Sequence, residues 1–173
     1  EWRSDDSLNY FGVVAGTERE RRTFFGEYFN YTPWEGFSFY ADARHPKGYK
    51  AWIPTRNIFN VYEMRDDQLY VDGGLYTIAV AGIRWEAKYD FRLEYIHNGV
   101  GWDKAAFKNA RTAITQLSPF IISNMARFYR PGFDLMTEKY LYSSLRIPDL
   151  GKKSDRTLYF FDIHSLTDDS GVF

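Results

Sequence analysis

Apolar and polar side chains alternate along much of this chain, and the alternation defines its elements. In residues 37–44, Phe37, Phe39 and Ala41 share one parity, while Ser38, Tyr40, Asp42 and Arg44 share the other. A period of two sends successive side chains to opposite faces of a strand. The same reading predicts strands over 8–16 (LNYFGVVAG), 23–31 (TFFGEYFNY), 75–85 (LYTIAVAGIRW), 91–97 (FRLEYIH), 137–145 (TEKYLYSSL) and 156–166 (RTLYFFDIHSL). Across 83–95 the parity hardly breaks: Ile83, Trp85, Ala87, Tyr89, Phe91, Leu93 and Tyr95 alternate with charged residues. One long strand would fit that parity, but a hairpin turning at 86–90 is preferred because a single strand would exceed the usual length.

Two segments depart from period two. Residues 45–74 read as one long loop holding a short hairpin, with strands 58–64 and 68–71 around Arg65, Asp66 and Asp67. Residues 103–116 (DKAAFKNARTAITQ) place Ala106, Ala110, Ala113, Ile114 and Leu117 at helical spacing, with Asp103 as N-cap. Pro119 interrupts, and 120–129 reads as a second short helix ended by Pro131 and Gly132. No apolar run approaches the roughly 20 residues of a transmembrane helix. The chain opens EWRSDD, charged from the start, and is read as a mature protein or as a fragment beginning in a loop. With no repeat or linker, residues 1–173 form one unit.

Composition sharpens this picture. Aromatic residues make up 20% of the chain, with 14 Tyr, 15 Phe and 5 Trp, yet the mean hydropathy is -0.48. Charges must therefore be interleaved with rings, as a membrane barrel requires when one face meets lipid and the other a polar lumen. A soluble barrel also mixes rings and charges. The net charge of -1, from 22 basic and 23 acidic side chains, argues against a nucleic-acid partner. The absence of cysteine removes disulfides, zinc-thiolate sites and thiol nucleophiles.

The links between the predicted strands sort by length. If the turns at 32–36, 86–90 and 148–155 lie at one end, strict up-and-down order sends the links 17–21, 45–74 and 98–136 to the other. Short turns on one rim and long loops on the other is the habit of outer-membrane barrels. Tyr31, Trp34, Phe37, Trp85, Tyr89 and Phe91 flank the proposed turns, where rings with a polar edge suit a membrane–water boundary. The stretch 75–102, ending FRLEYIHNGVGW, and the stretch 139–171, YLYSSLRIPDL followed by RTLYFFDIHSLTDDSG, resemble bacterial outer-membrane porin-like barrels. The similarity is one of pattern and contains no diagnostic motif. It implies an all-β, antiparallel up-and-down transmembrane barrel with a helical insertion at about 102–130. It also implies location in the outer membrane of a Gram-negative bacterium. Seven predicted strands are fewer than the eight of the smallest such barrels, so part of a larger barrel is expected. The segment 167–171 departs from the usual final strand and reads as a loop.

The resemblance implies a channel or transporter passing small hydrophilic solutes, with lipid around it, no cofactor, and a homo-oligomer or membrane complex as partner. If the apolar parity faces lipid, the lumen receives Asp42, Arg44, Arg84, Arg92, Glu94, Lys139, Asp162 and His164. Mixed-sign charges there would tune selectivity. On the outer face of a soluble sheet the same charges would form weak ion pairs. The helical loop is expected to constrict or cap the pore. Two other readings stand: a soluble calycin-like barrel binding a small apolar ligand, and an outer-membrane lipid hydrolase. His45, His97 and His164 lack metal-ligand spacing, and no GxSxG occurs. His164 and Ser165 only faintly resemble the outer-membrane phospholipase arrangement, since adjacent strand residues point to opposite faces. The sequon Asn30-Tyr31-Thr32 is taken as a chance match.

Overall fold

The computed structural model describes residues 2–4, 8–17, 23–48, 53–65, 74–115, 137–150 and 156–172. It contains strands β1 (Trp2–Arg3), β2 (Tyr10–Thr17), β3 (Thr23–Trp34), β4 (Phe37–Pro46), β5 (Ile53–Arg56) and β6 (Tyr62–Arg65). Then follow β7 (Ile78–Glu86), β8 (Asp90–Asn98), helix α1 (Lys104–Thr115), β9 (Lys139–Leu150), β10 (Arg156–Ser165) and β11 (Gly171–Val172). Nine strands form one sheet in the order β1-β2-β3-β4-β7-β8-β9-β10-β11, and β5 pairs with β6 apart from it. Every pairing in the sheet is antiparallel between neighbours along the chain, with the β5–β6 hairpin set into the β4–β7 link. The architecture is all-β and up-and-down, as the alternation predicts. The sheet is not closed, however: among the described residues its edges are β1 and β11, which pair with no further strand.

Among the described residues the link partition holds at two of the three expected turns; at the third, expected over 148–155, β9 runs on to Leu150 and 151–155 lie outside the described residues. Glu35 and Gly36 join β3 to β4, and 87–89 join β7 to β8, so the 86–90 region is a hairpin rather than one long strand. The two turns touch through Glu86 N–H donating to Gly36 O. The opposite end collects the β2–β3 link, the β5–β6 hairpin, α1 and the β10–β11 turn. There Lys47 N–H donates to Thr23 O, Asn98 N–H to Glu138 O and Leu166 N–H to Lys139 O.

Two expectations about the loops need correction or lie outside the described residues. A hairpin of β5 and β6 turns at 57–61, inside the expected strand 58–64, while the expected strand 68–71 and the turn before it lie beyond Arg65, outside the described residues. Asn57 closes it, its side-chain oxygen accepting from Phe59 and Val61 N–H and its backbone N–H donating to Val61 O. An Asx side chain that bonds the backbone two residues on is a turn signal. The second helix expected over 120–129 lies outside the described residues. Helix α1 forms as predicted and packs on the β5–β6 hairpin, with Ala110 buried. Asp103 caps it, its carboxylate accepting from Ala106 N–H at 2.7 Å and its carbonyl from Phe107 N–H. The Asp103→Ala variant is expected to cost the helix about 1 kcal/mol. Hydrogen exchange would read this as faster exchange confined to the first turn of α1, with the sheet unchanged.

Register separates two faces of the sheet. Paired residues project to the same side. One face carries Phe11 and Val13, Phe25 and Phe29, Phe39 and Ala41, Ala81 and Ile83, Leu93 and Tyr95, Leu141 and Leu145, and Leu158 and Phe160. The other carries Tyr28 and Asn30, Tyr40 and Asp42, Arg84, Arg92 and Glu94, Tyr140 and Tyr142, and Tyr159 and Ser165. The polar face is the more enclosed: Gly12, Gly26, Pro46, Tyr140 and Ser165 are buried on it. Two of its glycines permit close approach. A Cβ on Gly12 would run into the Tyr28 ring, and one on Gly82 into Tyr40 and Glu94. The tyrosines can thus lie flat on the sheet.

The apolar face is bare. Phe11 is 56% exposed, Val13 77%, Phe160 55% and Trp85 58%. A chain of 173 residues is long enough to bury a two-layer core. Among the described residues, however, only Ala110 and Tyr140 are buried hydrophobics.

Candidate functional site

The residues with the most developed polar chemistry gather at the turn end of the polar face. Two successive rows of the β7–β8 ladder build it. In one, Glu86 lies opposite Asp90; in the next, Arg84 lies opposite Arg92. Like charges directly opposite are destabilising within each row, but the two rows carry opposite signs. Diagonal contacts resolve the conflict. Arg84 grips Asp90 with two hydrogen bonds, Nε to Oδ1 at 3.0 Å and Nη2 to Oδ2 at 2.8 Å. The same Nη2 lies 2.8 Å from Glu86 Oε2, and Arg92 approaches Asp90 at 3.6 Å. A paired fork is the strong geometry for guanidinium and carboxylate, and Asp90 is well covered, its side chain only 12% exposed.

The rows continue across the sheet. Asp90 pairs with Arg146, which pairs with Tyr159; Arg92 pairs with Ser144, which pairs with Phe161. One row further in, Glu94 pairs with Tyr142, and the Tyr40 hydroxyl donates to Glu94 across Gly82. These side chains border a depression of about 410 Å³ lined by Arg84, Asp90, Arg92, Tyr142, Arg146 and Tyr159 among others. The Arg146 guanidinium sits over the Tyr159 ring, 5.9 Å from its centre.

The sequence-predicted lumen residues divide. Asp42, Arg44, Arg84, Arg92 and Glu94 all lie on the polar face, and Arg44 stacks over Phe24 at 4.3 Å. Lys139, Asp162 and His164 do not join them. Register puts Lys139 beside His97, Asp162 opposite Ser143 and His164 opposite Leu141, all on the apolar face. Lys139 shares its parity in β9 with Leu141 and Leu145 and faces as they do; for Asp162 and His164 the physical reason lies in β10, where Leu158, Tyr159, Phe160 and Phe161 put rings or apolar groups on both parities. Such a strand does not specify its own facing, and its hydrogen bonds to β9 decide it. Asp162 Oδ1 is buried there without a hydrogen-bond partner among the described residues.

Asp90, Arg146, Tyr142, Ser144 and Tyr159 belong to the site but were missed by the sequence reading. Asp90 shares parity with Arg84 and Arg92, and that signal was available. Arg146 was not accessible in that way, because the predicted strand ended at 145 and left it outside.

All six predicted interface aromatics, Tyr31, Trp34, Phe37, Trp85, Tyr89 and Phe91, lie at or near the turn end, and Phe37, Trp85 and Phe91 form one row. Trp34 stacks on Phe37 with ring centres 5.0 Å apart, and Phe37 meets Phe39 edge-on at 5.0 Å. At the loop end of the same face His45 is bonded on both ring nitrogens, to Thr77 Oγ1 at 3.0 Å and Glu27 Oε1 at 2.9 Å, and stacks on Phe25. His164 and Ser165 point to opposite faces, and Ser165 Oγ is bonded to Thr137 Oγ1 at 2.8 Å. Among the described residues no group of three or more acidic, His or Cys side chains could hold a metal ion. Nor, among those residues, is any helix long and apolar enough to cross a membrane. No protein-family model, curated protein or solved structure matches the chain.

Proposed function

We propose that this chain is part of an outer-membrane β-barrel that passes small hydrophilic solutes along its polar face. The bare apolar face carries the reading: a register-aligned sheet of Phe, Val, Ala, Ile and Leu with almost nothing packed on it. A soluble protein leaving that much contiguous apolar surface exposed would aggregate or seek a partner, whereas lipid is a suitable neighbour for it. Strand lengths agree. Strands β3, β4, β7, β8, β9 and β10 run 12, 10, 9, 9, 12 and 10 residues, close to the roughly 9–11 needed to cross a bilayer at a tilt. The aromatic row at the turn end suits one headgroup boundary. Lys139, though on the lipid side, is the first residue of β9 at the loop end, where its ammonium can reach the other boundary; Asp162 and His164 lie further along β10 and are polar exceptions on this face. An open edge is untenable in hydrocarbon, so β1 and β11 must be paired in the working barrel. The soluble ligand-binding alternative calls for an apolar enclosed face, and the enclosed face here carries Tyr, Gly and charge.

The test is heat-modifiability with membrane fractionation. The protein should partition with membranes, require detergent for extraction and migrate differently on a gel before and after boiling. Recovery in the soluble fraction with identical migration either way would sink the membrane reading.

A further inference from the structure

We propose that the depression between β8, β9 and β10 binds a small aromatic carboxylate, held by Arg92 and Arg146 against the Tyr142, Tyr159 and Phe161 rings. The inference deepens the pore reading and rests on it for how the solute arrives. Its chemistry rests on the side chains alone.

Three guanidiniums reach this depression, and they are not equivalent. Arg84 is committed, holding Asp90 with a fork and Glu86 with the same terminal nitrogen. Arg92 makes only the 3.6 Å approach to Asp90 and is 41% exposed. Arg146 has no carboxylate within 4 Å among the described residues and rests on an aromatic face instead. Glu94, the next residue along this face of β8, accepts from the Tyr40 hydroxyl. Among the described residues two guanidiniums therefore keep free donors. Arg92 pairs with Ser144, two residues before Arg146 on the same face of β9, and Asp90 pairs with Arg146, so the two arginines are diagonal neighbours flanked by Ser144 and Asp90. Donors spaced this way suit the two oxygens of one planar carboxylate.

The walls select what carries that carboxylate. Tyr142, Tyr159 and Phe161 lie on the same face and line the same depression. Inorganic anions gain nothing from such walls, whereas a ring can stack on them. The volume of about 410 Å³ lies in the range of small-molecule sites.

Benzoate is the probe, with inorganic phosphate as its comparison. Titration calorimetry on the detergent-solubilised full-length protein should give saturable benzoate binding. The Arg92→Gln/Arg146→Gln variant should weaken it at least about tenfold. Tyr159→Leu should weaken benzoate while leaving phosphate binding unchanged. Sheet content by circular dichroism verifies that each variant is folded. No saturable benzoate binding, an unchanged affinity in the double variant, or phosphate binding as tight as benzoate would overturn the inference. Planar-bilayer conductance, recorded separately, tests the pore. A conducting protein that ignores benzoate refutes the site and keeps the pore, and a non-conducting one that binds benzoate through these arginines does the reverse.

Discussion

The Ala81→Arg variant is expected to lose about 2–4 kcal/mol of stability in a lipid bilayer, the cost of a cation on the lipid face near the midplane. Ala81 pairs with Ala41 on one side and Tyr95 on the other, midway along β7 on the apolar face. An arginine there must snorkel across several rows of apolar side chains to reach water. Val80→Arg, one residue away, is the matched control. Val80 lies on the polar face opposite Asp42, where a cation meets a carboxylate and the change should stay under about 1 kcal/mol. Urea unfolding of protein refolded into vesicles reads both. Equal losses, or a larger loss at position 80, would mean that the apolar face does not meet lipid. The contrast is sharp because the two positions have nearly the same sequence environment and differ mainly in facing.

Asp90→Ala should be the most damaging single change at the polar site, costing about 2–3 kcal/mol. The carboxylate contacts both Arg84 and Arg92, and those arginines stand directly opposite each other. Removing it leaves two like charges paired across the ladder and strips the Arg84 fork of its acceptor. Partial exposure of Arg84, at 32%, keeps the loss below that of a fully buried pair. The Arg84→Ala/Asp90→Ala double variant should recover part of the loss, since it removes the stranded charge along with its partner. Thermal melts of the four forms give the coupling energy. Additive losses would show that the fork contributes nothing and that Asp90 matters for some other contact. In the conducting protein the single variant should also shift selectivity toward anions, because a negative charge has left the rim.

How far the sequence carried the reading varied with the element. Residues 37–44 and 91–97 alternate cleanly, and their faces were assigned correctly, which is why Asp42, Arg44, Arg92 and Glu94 came out together. The Asp103 cap was legible because capping is a contact between near neighbours in sequence. The 57–61 turn is legible through Asn57, whose side chain bonds the backbone of near neighbours in sequence. Arg146 was lost to a strand end placed five residues early, and with it the second free guanidinium of the site. The fork between Arg84 and Asp90 depended on where the β7–β8 hairpin turned. Had the single long strand been real, the two would have lain on one strand six residues apart.

What the sequence alone determined is the all-β, up-and-down order, the segregation of short turns from long links, and the two-faced character of the strands. Each follows from local patterns: period two, turn chemistry and link length. What only the tertiary structure decided is which parity of β10 faces which side, the open edges of the sheet, and the gathering of Arg84, Asp90, Arg92 and Arg146 on three neighbouring strands. A strand with rings on both parities has no preferred facing of its own. Its facing comes from the hydrogen-bond register with its neighbour, and a one-residue shift in that register would move Asp162 and His164 to the other side.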